Sequence, residues 1–392
     1  MRRGNILILL TIFMLLFVAA CSNDKENIET TSDPNKEPQT ETEKEEQEKP
    51  KEPEKIEKEI TISAIGDMLI HSQVYKDAKV AGGYDFTPML DAVKPFLNSS
   101  TITIANQETM IGGESIGLSS YPRFNSPVEV GDALKDAGVD VVSIANNHTL
   151  DHGEEAIQQA IQHWETIDMM YTGAYRDQED SNDIRVYETQ EGISVAFLAY
   201  TYGTNGIPVP DGKDYLVNLI DRDNMAGAIE EAESKADVTI LSLHFGNEYE
   251  RLPSEEQKDL VQFAADHGVE VVLGHHPHVL QPVDWVEGES GNKTLVAYSL
   301  GNFLSGQDEF YRRIGGIMKF TIHKTIVGEE ETIDVTSPKF VPTFVTYQDW
   351  RDYGVIPMYQ LTNEQLPNAQ EHYEEIKAHM SQWMPELEFI EK

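Results

Sequence analysis

Five short apolar runs, rich in β-branched residues, each stop at a side chain able to bind a metal ion. Ile60–Gly66 delivers Asp67; Thr101–Ala105 leads into Asn106, Gln107 and Glu108; Val139–Ala145 ends in Asn146, Asn147 and His148. Val238–Leu243 delivers His244, and Val269–Leu273 passes through Gly274 into His275, His276, Pro277 and His278. Runs of this length and composition read as buried strands, and a glycine at the end of one lets the chain turn sharply. A single coincidence of this kind means little. Repeated in the same topological position, it points to an α/β fold in which strand ends line one crevice.

The start of the chain is a different material. Arg2 and Arg3 give a positive opening, Ile6–Val18 an apolar core, and Val18-Ala-Ala-Cys21 a small-residue close. This is the pattern of a secretory signal over residues 1–21, with an apolar part short for a membrane span. Cys21 in that position resembles a bacterial lipobox, which implies a lipidated cysteine and an extracytoplasmic protein anchored to the cell membrane. The sequence has one cysteine, so a disulfide within the chain is impossible. Residues 22–59 carry 14 Asp/Glu and 7 Lys with four prolines and almost no apolar side chains. Such a stretch cannot bury enough surface to offset its ordering entropy, and a disordered acidic tether is expected. Residues 60–392 are left for the folded domain.

The net charge of −38 falls mostly on that domain. Nucleic acid is excluded as a partner, because phosphate binding needs a basic footprint. Helical periodicity appears over Val130–Ala137, Glu154–Trp164 and Asp223–Lys235, and Ser254 followed by Glu255 and Glu256 starts another helix. A peripheral helix is expected near the C-terminus, from Asn363 to Met380. Gly203–Gly212 is a Gly/Asn/Pro-rich loop suited to folding over a site. Gly316–His323 and Thr332–Val335 read as antiparallel outer strands. Neither a Gly-x-Ser-x-Gly elbow nor a Walker-type loop occurs in the sequence.

The mixture of carboxylate, amide and imidazole at the strand ends suits a divalent transition metal such as Mn, Fe or Zn, and a carboxylate can bridge two ions. Read in order, Gly66-Asp67, Asn106-x-Glu108, Asn146-Asn-His148, His244 and His276-x-His278 resemble the motif series of calcineurin-like metallophosphoesterases. Asn106-Gln-Glu108, Ala145-Asn-Asn-His-Thr-Leu-Asp151, Leu243-His-Phe-Gly246, Gly274-His-His-Pro-His278 and Tyr298-Ser-Leu-Gly-Asn-Phe303 are similar to the CapA family, named for the poly-γ-glutamate capsule synthesis protein.

The resemblance implies a metallophosphoesterase-like α/β sandwich, two packed sheets flanked by helices. It implies two ions, with Asp67 and His278 on the first, Asn147, His244 and His276 on the second, and Glu108 bridging. His148 takes the place of the histidine beside the scissile group, as leaving-group acid or electrostatic stabiliser. His71, Asn106, Asp151, His275 and Asn302 are neighbours of the site, with Asp151 fixing the loop that carries His148. Two departures stand out. The phosphoesterase pattern has Asp-x-His at its first motif, whereas position 69 is Leu and the next histidine is His71; the bridging residue is Glu where Asp is usual.

The function implied is that of a membrane-anchored, extracytoplasmic metal-dependent hydrolase-like protein, acting in poly-γ-glutamate capsule synthesis or export beside capsule-synthesis membrane proteins. A non-catalytic accessory that guides the polymer, or a surface phosphoesterase unrelated to capsule, are the alternatives.

Overall fold

The computed structural model describes residues 55–392. Cys21, the leader and the tether up to residue 54 lie outside the described residues.

The period-2 alternation of the strands dictates a layered architecture. In the first strand, Lys55–Leu69, the side chains of Ile60, Ile62 and Ala64 enter one core, while Ile65 turns to another. Ile102 and Ile104 share the first core and Ala105 the second; Val141 and Val142 divide the same way. A second sheet repeats the pattern. Val195, Phe197, Val238, Ile240, Val271 and Leu273 face the first sheet, and Ala196, Leu198, Leu241, Leu243 and Val272 face away. The inner face of each sheet therefore packs on the other, and each outer face needs a cover.

Helices supply it. Glu129–Asp136 and Gly153–Thr166 lay Val130, Leu134, Ile157, Ile161 and Trp164 on the first sheet. Arg222–Lys235 and Glu255–Asp266 lay Met225, Ile229, Leu260 and Val261 on the second. Ser254 opens the last of these with a capping box closed by Gln257. Burying each large aliphatic side chain contributes about 1.5–3 kcal/mol, so the alternation fixes both layer order and register. The result is the α/β sandwich of two packed sheets expected from the sequence.

Among the described residues the first sheet has nine strands and the second six. In the first, Lys55–Leu69, Ile102–Asn106, Val141–Ser143 and Met170–Thr172 run parallel, and Ile314–Val327, Glu330–Gln348 and Arg351–Pro357 extend it antiparallel. In the second, Ser194–Thr201, Val238–His244, Val271–His275 and Lys293–Leu300 are parallel, with antiparallel Arg185–Glu188 and Leu280–Glu287 at the edges.

Several boundaries differ from those read in the sequence. The first strand begins at Lys55 because Lys55–Glu59 pair with His323–Val327, so the end of the acidic segment is folded. Thr332–Val335 lies near the start of the long strand Glu330–Gln348. The C-terminal helix spans Ala369–Met380 and buries Tyr373, Ile376 and Met380 in the core between the sheets. Among the described residues no helix is long and apolar enough to cross a membrane.

Candidate metal centre

The parallel strands of both sheets end on one side of the sandwich, and their last residues meet there. Two glycines make the approach possible. A Cβ on Gly66 would stand 2.0 Å from the Gly301 carbonyl oxygen, and one on Gly274 would stand 1.9 Å from that of Tyr298. Pairing of the first strand shifts register on both flanks at Asp67, between Ile65 and Asp67 on one side and Asp67 and Met68 on the other. Irregularities of this type re-aim a side chain at the edge of a ladder. Beyond Gly274, His276 and His278 both take left-handed backbone conformations, with φ of 94° and 57°. Such conformations cost energy for residues other than glycine and concentrate at functional sites. Here they turn two imidazoles, one residue apart, toward the same point.

Glu108 occupies the centre. It is 0% exposed, and both of its carboxylate oxygens lack a hydrogen-bond partner among the described residues. Its Oε1 stands 3.6 Å from Nε2 of His278 and 3.7 Å from Nε2 of His244. The Asn147 amide oxygen is 2.9 Å from that same His244 nitrogen. Donors held about 2.0–2.2 Å from a common ion stand roughly 3–4 Å apart, so these separations are those of ligands sharing ions. Glu108 belongs to two groups whose ligand atoms lie within 4.8 Å of one another: one with His244 and His276, the other with Asp67 and His278.

A supporting layer fixes the donors. Asn106 donates from Nδ2 to Asp67 Oδ1 at 2.9 Å and accepts from the Ser143 hydroxyl at 3.1 Å. Nδ1 of His278 lies 3.1 Å from both Asp67 Oδ2 and the Asn302 amide oxygen. Nδ1 of His275 is 3.2 Å from Asp67 Oδ1. Asn106 and Asn302 are thus neighbours that orient donors by hydrogen bonds, and His275 stands within ion-pair distance of Asp67. His71 is a neighbour of the site: its Nδ1 lies 3.0 Å from the Leu69 carbonyl and 3.2 Å from the Gly306 nitrogen, and its ring meets that of Phe124 edge-on at 5.1 Å, which in turn meets His148. It stands at the start of the short helix Ser72–Asp77.

His148 sits apart from the ligand groups and is paired differently. Its Nδ1 is 2.7 Å from Oδ2 of Asp151, which also accepts from the Phe124 N–H at 2.6 Å. The Phe124 ring meets His148 edge-on at 4.7 Å. With Nδ1–H donated to Asp151, Nε2 is the nitrogen left for chemistry. A cavity of about 360 Å³ opens beside it, lined by Tyr121, Arg123, Asn147, His148, Asn205 and Glu248. Asn205 comes from the Gly203–Gly212 loop, as expected of a segment lying over the site.

The electrostatics of the cluster favour cations. Burial pushes the Glu108 carboxyl well above its ordinary range. Burial acts on Asp67 in the same direction, yet the His275 and His278 imidazoles beside it hold it well below the usual carboxylate range. Burial and the neighbouring His276 depress His244, and burial and His278 depress His276 to about 3, leaving both neutral as metal ligands must be. His278 is raised to about 9: burial opposes its charge, but Glu108 and Asp67 outweigh it. A buried carboxyl with no hydrogen-bond donor, beside neutral His244 and His276, is a costly arrangement without an ion. The donor set therefore fits divalent metal.

Residues outside the strand-end pattern also reach the site. Glu248, in the loop after His244, forms a third ligand-competent group with His276 and His278. The Tyr202 ring lies 4.6 Å from that of His276. Both sit in loops, where periodicity carries no signal; Glu248 follows only four residues after a ligand, which was the one available clue. The histidines away from the strand ends are occupied elsewhere: His152 with Ser119, His163 with Asp132, His267 with the Phe263 carbonyl and His323 with Glu59.

The capsule biosynthesis protein CapA of Bacillus anthracis is 28% identical over 265 residues, covering 64% of this chain and 61% of the relative, so the match spans less than two thirds of that protein. The PGA biosynthesis protein CapA of Bacillus subtilis is 24% identical over 304 residues, covering 76% of this chain and 77% of the relative. A solved Staphylococcus aureus structure, provisionally assigned as a 5'-nucleotidase and holding alpha-ketoglutarate, aligns with a TM-score of 0.42 and 14% identity over 81% of this chain and 58% of its own. The profile of the bacterial capsule synthesis protein PGA_cap matches residues 61–307, the span from the first core strand to just past Asn302. The chain belongs to the bacterial capsule synthesis protein PGA_cap family.

Proposed function

We propose that this protein is a membrane-anchored, extracytoplasmic member of the capsule machinery whose centre holds two divalent ions and performs hydrolase-type chemistry in poly-γ-glutamate synthesis or export. The observation that carries the reading is Glu108, a fully buried carboxylate with two unpartnered oxygens, shared between two ligand groups. Asp67 and His278 would hold one ion and Asn147, His244 and His276 the other, with Glu108 shared by both groups. Bound Mn, Fe or Zn supplies Lewis acidity toward a phosphoryl or acyl oxygen and a means of activating water.

The protein's own residues do the rest. Asn106 and Asn302 orient Asp67 and His278, so the donors need little reorganisation. Asp151 fixes the His148 ring with Nε2 unspent, placing a proton-holding group beside the leaving group in the adjoining cavity. The Cys21 lipid would keep the domain at the membrane beside its partners; Cys21→Ser should release the protein into the medium or leave it unprocessed.

Elemental analysis of the purified full-length protein, paired with a phosphatase assay in added Mn, tests the function. More than half an equivalent of transition metal and measurable turnover are expected, with both lost in the His276→Ala/His278→Ala double variant. Equal metal content in wild type and double variant would sink the reading. Metal without turnover would leave a metal-binding accessory that guides polymer.

A further inference from the structure

The first-motif histidine of the phosphoesterase pattern is absent here, which leaves one side of the centre short of a donor. Leu69 holds that position and is buried in the core, and His71 turns its Nδ1 to the Leu69 carbonyl and the Gly306 N–H. Another residue approaches the same pair of imidazoles from the opposite wall. Glu248 offers a carboxylate oxygen that lies, with one nitrogen each of His276 and His278, within 4.8 Å of both. Nδ1 of His276 is buried and unpartnered among the described residues.

The loop that carries Glu248 is built to hold it there. Gly246 takes φ of 94°, and a Cβ would meet the Gln257 amide at 2.4 Å, so the turn after His244 is fixed by close packing. The Tyr249 N–H donates to the Pro277 carbonyl at 2.7 Å, tying the loop directly to the His276-Pro277-His278 turn. Tyr249 itself has φ of 69°, and its ring lies 6.2 Å from that of His278. On the next residue, the Glu250 carbonyl accepts from Gln281 Nε2 at 2.8 Å. The backbone around Glu248 is thus held against the His276-Pro277-His278 turn, and its side chain lines the open cavity.

We propose that Glu248 is a metal ligand, a carboxylate arm that closes the centre from the His276/His278 side. This rests on the two-ion reading above. Because Glu248 is exposed while the other donors are buried, it is also the ligand that an anionic substrate group entering the cavity would meet first. A carboxylate or phosphoryl oxygen has the donor chemistry to displace it.

The test uses full-length protein, titrated with Co²⁺ and followed both by chelator competition and by the visible absorption of the bound ion. Wild type should take up two equivalents with a spectrum that reports their coordination. Glu248→Gln should keep the fold by circular dichroism, bind one of the two ions about 10- to 100-fold more weakly, and change band position or intensity as a ligand is lost. Weaker binding with an unchanged spectrum would show only a long-range charge effect and would overturn the assignment. Two ions bound equally well by both proteins would overturn Glu248 while leaving the two-ion centre standing. No uptake by wild type would remove the centre itself, and the assignment with it.

Discussion

The amide oxygen of Asn147 stands 2.9 Å from Nε2 of His244, across 97 residues of sequence and from one sheet to the other. His148, the very next residue, points its ring to Asp151 instead. Adjacent side chains thus serve different parts of one site. Asn147→Ala should lower metal affinity by about 10- to 100-fold, in step with activity. His148→Ala should leave metal content and thermal midpoint near wild type while turnover of phosphate esters falls by about 10²- to 10⁴-fold. Aryl esters, which need little leaving-group protonation, should suffer less than alkyl esters. Parallel metal titrations decide the matter: if His148→Ala loses metal as Asn147→Ala does, the division of roles is wrong.

Asn106 tests the supporting layer. It donates to Asp67 and accepts from Ser143, all three buried. Asn106→Ala should destabilise the metal-free protein by about 1–3 kcal/mol, since a charged acceptor loses its donor in the interior. Asn106→Asp should be worse for metal-free folding, because it sets a second buried carboxyl against Asp67, and added metal should narrow the difference. Urea unfolding with and without Mn measures both effects; a neutral Asn106→Ala would mean that Asp67 is held by its histidines alone.

Packing under the first sheet makes a separate prediction. Trp164 is fully buried, and a Cβ on Gly131 would lie 2.6 Å from its ring. Trp164→Ala should cost about 3–5 kcal/mol. Gly131→Ala should cost about 1–3 kcal/mol through overpacking, despite the better helix propensity of alanine. Denaturant midpoints read both; a stabilising Gly131→Ala would show that the Trp164 ring yields freely.

A pH effect arises far from the metal centre. Burial, reinforced by the charge of Glu233, raises Glu270 from its ordinary 4.5 to about 8. Its Oε2 accepts from the Thr239 N–H at 2.8 Å. Between those two values the folded state keeps a proton that the unfolded state has released. The stability tied to this group is therefore full below about pH 4.5 and is lost as pH rises through 8. Because the side chain is only partly buried, we expect the loss to be about 1–3 kcal/mol. Glu270→Gln keeps an acceptor for Thr239 and should gain on wild type between pH 5 and pH 9. Identical pH dependence of the urea midpoint in both proteins would contradict this.

The layers and the ligand-bearing strand ends were legible because burial on two faces imposes alternation, as in Ile60, Ile62 and Ala64 against Ile65. The terminal residues Asp67, Glu108, Asn147, His244, His276 and His278 fall at a fixed place in that pattern. What was not legible lacks periodicity. Pro282 and Asp284 disguise Leu280–Glu287, an edge strand where a missing N–H is tolerated. Glu248 and Tyr202 reach the site from loops, and only tertiary structure brings them to His276. His71, four residues after Asp67, does lie beside the site, through the Phe124 ring that it shares with His148.

The central claim is that Glu108 lies between two ions. Anomalous diffraction at the metal edge, from crystals of the protein grown with Mn or Zn, tests it most directly. The account predicts two peaks flanking the Glu108 carboxylate, roughly 3.5–4 Å apart, one against Asp67 and His278 and the other against Asn147, His244 and His276. A single peak, or peaks that do not touch Glu108, would contradict it.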